Sequence, residues 1–126
     1  MEDLKNRRYV MSLENKIEMN YRLLSDMHDD FRERCRMVAP GKTIPADVVG
    51  RVKRQFTEIR DRLAEIKAIQ QLLRGKYRRL AKRDPLRDKK IEELGFAFKG
   101  YYSNFEFNLR TIERLKRKSE QGPGKP

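Results

Sequence analysis

The chain has 126 residues, 37% hydrophobic and 40% charged, and 31 basic against 19 acidic residues give it a formal charge of +12 at pH 7. That length suits one ordinary domain, and the apolar fraction is too large for a wholly disordered chain. One cysteine and one histidine exclude an internal disulfide framework and a zinc site of the usual type, and no apolar run reaches the roughly 18 residues that a spanning helix needs.

The first apolar pattern predicts helix 1 over residues 2–37. Its apolar side chains recur at steps of three and four, the spacing that lines one face of a helix. They are Val10, Leu13, Ile17, Leu24, Met27, Phe31 and Val38. Pro40 and Gly41 then interrupt the pattern, because this pair ends helices and forms turns. A connection this short predicts an antiparallel neighbour.

A second pattern of the same kind predicts helix 2 over residues 45–83, with a bend at Gly75, since an interior glycine costs about 1 kcal/mol relative to alanine. Asp84 followed by Pro85 is typical of an N-cap and a first helical residue, so helix 3 is expected over residues 85–118. Residues 119–126 are polar and rich in glycine and proline, which predicts a disordered tail.

Three helices joined by short connections predict an all-α fold, an elongated antiparallel three-helix bundle (up-down-up) formed by residues 1–118 as one domain. Polar residues interrupt the apolar stripes at Asn20, Gln70 and Asn108, and such residues fix the register of packed helices. Stripes of this length also suit packing between subunits, so a homodimer stays open.

Basic residues are concentrated in two places. The basic row, spaced seven residues apart along one flank of helix 2, consists of Lys53, Arg60, Lys67 and Arg74. The basic cluster surrounds the connection between helices 2 and 3 and consists of Arg74, Lys76, Arg78, Arg79, Lys82, Arg83, Arg87, Lys89 and Lys90. Only Asp84 and Asp88 interrupt the cluster, so its charges repel one another unless a polyanion binds.

Two interpretations of these charges compete. Lysines and arginines beside an apolar stripe often only solvate a helix or pair with acids on its neighbour. Alternatively they contact phosphates, in which case binding weakens steeply with salt. The dense cluster favours the second interpretation, and RNA or single-stranded DNA is the expected partner.

The segment 95–107 holds six aromatic residues, more than one helical stripe can bury. Phe98, Tyr101 and Phe105 keep the stripe spacing, whereas Phe96, Tyr102 and Phe107 are candidates for a partner or stacking patch. These rings either widen the core, contact another protein or subunit, or stack on bases of a single strand.

No residue set predicts catalysis, so we expect neither an enzyme nor a cofactor or metal. The acids around His28 have arginines at pairing distance along the same helix, and Cys35 is expected to be a packed thiol. The charged segment 1–9 lacks the apolar core of a secretory signal, which favours a cytoplasmic location without membrane contact.

The function expected from the sequence is that of a small basic subunit of a nucleoprotein assembly, which contacts nucleic acid through phosphates and neighbouring proteins through its remaining surface. The alternative is a helical adaptor or chaperone that binds an acidic protein through the aromatic patch. Charge concentration supports the first, and the surplus of aromatic rings supports the second.

Overall fold

The computed structural model describes residues 2–120, which form three α-helices and no strand. They are α1 (Glu2–Arg36), α2 (Val48–Arg74) and α3 (Pro85–Glu120). Helix α1 packs along both other helices, whereas α2 and α3 contact each other much less. The predicted all-helical fold and three-helix bundle are therefore confirmed, and α1 is the central helix.

Contacts between the helices give their directions. Tyr9 near the start of α1 packs against Tyr77, just beyond the end of α2, whereas Val38 and Val48, next to the α1–α2 connection, share one core. Helix α2 is therefore antiparallel to α1. Helix α3 is parallel to α1, because Glu18 pairs with Arg87; further along both helices, His28 meets Tyr101.

Phe31 of α1 lies at the point where the three helices meet. Its side chain is fully buried, like those of Phe98 and Phe105. The Phe31 ring lies 6.2 Å from the Phe56 ring of α2 and 5.6 Å from the Phe98 ring of α3, measured between centroids. One aromatic side chain thus joins all three helices, and burial of such rings is a main source of stability.

The prediction that helix 2 extends to residue 83 is wrong, because α2 ends at Arg74. The N–H of Gly75 still donates to the carbonyl of Gln71, at 3.0 Å, and a Cβ at Gly75 would lie only 3.2 Å from that oxygen. Residues 75–80 form turns in which Tyr77 and Leu80 still pack on the core. Their apolar spacing therefore imitated a longer helix.

The connection between α1 and α2 spans residues 37–47, so α2 begins three residues later than predicted. Gly41 adopts φ of +80°, a left-handed conformation that glycine reaches without the steric penalty of a Cβ. The N–H of Val48 bonds the carbonyl of Pro45 at 3.2 Å, so residues 45–47 form a turn rather than helix.

Helix α3 begins as predicted, with Pro85 as its first residue. The Asp84 carboxylate accepts a hydrogen bond from the N–H of Arg87 at 3.1 Å, which satisfies one free donor of the first turn. The helix continues to Glu120, two residues beyond the predicted end. The rest of the predicted tail, residues 121–126, lies outside the described residues.

Substituting Asp84→Ala is expected to lower the free energy of unfolding by about 1 kcal/mol, since the cap would be lost. Urea denaturation followed by circular dichroism measures this difference. Asp61→Ala is the matched control, because Asp61 is exposed and makes no ion pair with another described residue. An equal loss in both variants would contradict the capping role.

Two of the three polar stripe residues are paired within the chain. Buried Asn20 accepts a hydrogen bond from Arg62 at 2.9 Å, and the Gln70 amide donates to Asp88 at 3.0 Å. These contacts join α1 to α2 and α2 to α3. They satisfy groups that would otherwise carry a desolvation cost.

Candidate functional site

The limited contact between α2 and α3 leaves a groove of about 1120 Å³ between them, called here the α2–α3 groove. Ile17 of α1 lies at its base, with Leu63 and Ile66 of α2 on one side and Ile91 and Gly95 of α3 on the other. The groove is thus apolar inside and is bounded by two long helices and the 75–84 connection.

Nine basic and three acidic side chains line this groove. The basic ones are Arg60, Lys67, Arg74, Arg78, Lys82, Arg83, Arg87, Lys89 and Lys99. The acidic ones are Asp84, Asp88 and Glu92. Walls of one predominant charge around an apolar interior concentrate the electric field, so the groove attracts anions.

Most of these positive charges have no acidic partner in the part of the chain that the structure describes. Arg74 lies 3.5 Å from the Asp88 carboxylate, and Arg87 lies 3.4 Å from that of Glu18. The remaining seven form no ion pair with a described carboxylate. The groove therefore keeps an excess of positive charge available to a ligand.

The 75–84 connection is held against α1, and this places basic side chains over one end of the groove. The backbone N–H of Lys82 donates to the Glu14 carboxylate at 2.9 Å, and the Tyr77 ring packs edge-on against Tyr9 at 5.4 Å. Because the connection is held by the backbone of Lys82 and by the ring of Tyr77, Arg78 and Arg83 extend from a fixed turn.

At the opposite end, the space between α2 and α3 is closed by aromatic stacking. The Phe56 and Tyr102 rings lie 3.8 Å apart at an interplanar angle of 4°, and the Arg60 guanidinium lies 6.0 Å from the Phe56 ring centre. This stack joins the two helices. Lys53, one turn before Phe56, is therefore excluded from the groove, although it belongs to the basic row.

The structure brings together eight of the twelve predicted nucleic-acid-binding residues in the α2–α3 groove: Arg60, Lys67, Arg74, Arg78, Lys82, Arg83, Arg87 and Lys89. Lys76 and Arg79 line an adjacent hollow of about 650 Å³ with Asp3 and Asn6 of α1, and Arg78 lines both spaces. Lys53 and Lys90 line neither. Lys99 was missed by sequence reasoning, because nothing in the pattern showed that its flank of α3 faces α2.

Arg87 differs from the other basic residues of the groove. Its side chain is only 16% exposed and pairs with Glu18 of α1, and its buried Nε has no hydrogen-bond partner among the described atoms. The side chain therefore helps to fix α3 against α1. It is less available to a ligand than the exposed Lys67 or Arg83.

The three predicted patch residues do not share one environment. Phe96 and Phe107 are 66% and 62% exposed, and Phe96 lies at the edge of the groove. Tyr102 is instead half-buried in the stack with Phe56, and burial raises the pKa of its hydroxyl. Its ring joins α3 to α2, so Phe96 and Phe107 are the two exposed rings of the three.

His28 and its acidic neighbours make local contacts. The ring nitrogens lie 2.9 Å from the Asp29 carboxylate and 3.0 Å from the Tyr101 hydroxyl. Asp29 also faces Arg32 at 3.7 Å, and both neighbours hold the pKa of its carboxyl below the ordinary value. Within residues 2–120, no cluster of histidine, cysteine and acidic side chains has metal-binding geometry.

Cys35 of α1 is buried in the hydrophobic core. Burial raises the pKa of its thiol to about 12, because a thiolate is poorly solvated in an apolar core. The thiol therefore stays protonated at neutral pH and is a weak nucleophile. Cys35 is a packed core residue, as the sequence predicted.

Comparison of the chain with known protein families, with curated proteins and with solved structures gives no match. Among residues 2–120, none of the helices combines the length and apolar character needed to cross a bilayer. The chemistry of the α2–α3 groove is therefore the basis for a functional conclusion.

Proposed function

We propose that this protein is a small basic subunit of a nucleoprotein assembly and that it binds RNA or single-stranded DNA in the α2–α3 groove, without sequence preference. The observation that carries the proposal is the set of seven basic groove residues that have no acidic partner among the described residues. Several cations held on two helices and a fixed turn match the repeating charges of a phosphate backbone.

The positions of these cations suit an extended chain. Arg60, Lys67 and Arg74 are spaced seven residues apart on α2, so they extend over about 21 Å at 1.5 Å per residue. Lys89 and Lys99 lie on the opposite wall, and Arg78 and Arg83 lie at one end. A strand lying along the groove would meet positive side chains on both sides.

The apolar interior favours single strands over duplexes. Half-buried Leu63 contributes apolar surface between the basic walls, above the buried side chains of Ile66 and Ile91. Unpaired bases have exposed flat faces that gain from contact with apolar or aromatic surface, whereas a duplex hides those faces in its stack.

The proposal is tested by measuring the affinity for fluorescent single-stranded RNA, single-stranded DNA and duplex DNA of mixed sequence as salt rises. Each phosphate contact on a single strand contributes about 0.7 to the slope of log K against log salt. Seven available cations therefore predict a slope between about −3 and −5 for single strands, with weaker binding of the duplex.

A slope near zero would contradict the proposal, and so would equal affinity for duplex and single strand. Tight binding of an acidic protein that displaces the nucleic acid completely at low salt would favour the adaptor alternative, since acidic side chains would then be the better ligands of the groove. Comparing the RNA and DNA arms decides which of the two single strands the groove prefers.

A further inference from the structure

Helix α3 carries an aromatic pair on the face directed away from the core. Phe96 and Phe107 are separated by eleven residues, or three helical turns plus about 20°, and therefore point in nearly the same direction, about 16 Å apart. The core-facing residues Phe98 and Phe105 lie on the opposite side of α3. We call this surface the outward face of α3.

Only small side chains lie on the helix surface between the two exposed rings. Gly100 and Ser103 lie between them on the same face, and no described atom comes within 4 Å of a Cβ added to Gly100. Nothing in the described bundle requires glycine there, although glycine inside a helix costs about 1 kcal/mol relative to alanine. Small residues between two large ones allow a second helix to approach closely.

We propose that two copies of this chain form a dimer by packing the outward faces of α3 against each other in antiparallel orientation. A two-fold axis passing between Tyr101 and Tyr102 places Phe96 of one copy opposite Phe107 of the other, and Gly100 opposite Ser103. A two-fold interface requires such self-complementarity, because each contact occurs twice with the two copies exchanged.

Charged residues on one flank of the outward face favour this arrangement. The two-fold axis is perpendicular to both helices, so a given flank of α3 in one copy lies beside the same flank of α3 in the other copy. Glu92 then faces Arg110 of the second copy, and Lys99 faces Glu106, in both cases within about 3 Å along the helix axis. None of these four residues forms an ion pair with another residue of the described chain. Lys99 also lines the α2–α3 groove, so the dimer leaves six basic residues without an acidic partner there for a strand.

The parallel orientation lacks this complementarity. It would bring opposite flanks together, so Glu92 of one copy would face Glu93 of the other, and like charges in contact oppose association. Lys99, Glu106 and Arg110 would face the flank that carries Ala97, Asn104 and Thr111, which are uncharged and cannot form ion pairs with them. The antiparallel dimer is the one orientation in which both the aromatic rings and the flanking charges find partners.

The test is the mass of nuclease-treated protein in sedimentation equilibrium. The average mass of the wild-type protein is expected to rise with protein concentration from 15.1 kDa, the mass of one chain, towards twice that value. Arg110→Glu sets two carboxylates against each other twice per dimer, so the dissociation constant should rise at least about tenfold. The double variant Glu92→Arg with Arg110→Glu exchanges the charges and should restore the dimer.

A second variant separates loss of the dimer from loss of the fold. Gly100→Gln should raise helix stability, since glutamine is a better helix former, yet its side chain should block the close approach and leave a monomer. A wild type that stays at 15.1 kDa, or a dimer that Arg110→Glu and Gly100→Gln leave unchanged, would overturn the proposal. So would a Phe96→Ala variant that loses affinity for single strands at unchanged mass, because the ring would then contact bases.

Discussion

Replacing Lys67, Arg78 and Arg83 together by alanine should weaken binding of a single strand by about 100-fold at about 0.1 M salt. Each phosphate contact contributes about 0.7 to the salt slope, so three contacts account for about two powers of ten at this salt concentration. The slope itself should become shallower by about 2. Titration of a fluorescent oligonucleotide at several salt concentrations measures both quantities.

The matched control replaces Lys16, Lys42 and Lys116, which are exposed and lie outside the groove. This variant loses the same net charge, so it reports the effect of overall charge alone, which salt largely screens beyond about 10 Å. Its affinity should remain close to that of the wild type. Equal losses in the two triple variants would mean that binding follows net charge and that the groove has no special part in it.

The second large effect concerns the core. Phe31→Ala should lower the free energy of unfolding by about 3–5 kcal/mol, because it removes a buried ring and leaves a cavity. Phe31 is fully buried and touches aromatic rings of both other helices, so no single helix can shift to fill the space. Urea denaturation at constant pH measures the loss.

Met19→Ala is the control for this substitution, because Met19 is 64% exposed on α1. Its effect should stay within about 0.5 kcal/mol. The two variants remove large apolar side chains from the same helix, one inward and one outward. A loss below about 1 kcal/mol for Phe31→Ala would contradict its place at the junction of the three helices.

The parts of the fold that depend on local signals were predictable. Apolar steps of three and four residues located all three helices, and Asp84 with Pro85 located the start of α3. The end of α2 was not predictable in the same way, because Tyr77 and Leu80 keep a helical spacing while packing from a turn. Gly75 was recognised as a weak point, but the pattern alone could not distinguish a bend from an end.

The basic row was partly predictable from helical spacing, since a spacing of seven residues places Arg60, Lys67 and Arg74 on one flank of a helix. Which flank faces which helix depends on the packing of the whole bundle. The central position of α1, the separation of α2 from α3 and the Phe56–Tyr102 stack decide that Lys99 belongs to the groove. They also decide that Lys53 does not.

The proposed role of the α2–α3 groove is tested most directly by mapping where a single strand binds. Backbone amide signals of the isotope-labelled protein are followed by NMR while a short mixed-sequence oligonucleotide is added. The expected result is that the largest shifts fall in residues 60–74, 81–85 and 87–99, on the two walls and the connecting turn. Shifts confined to the outward side of α1, or to the Lys76 and Arg79 hollow, would contradict the proposal.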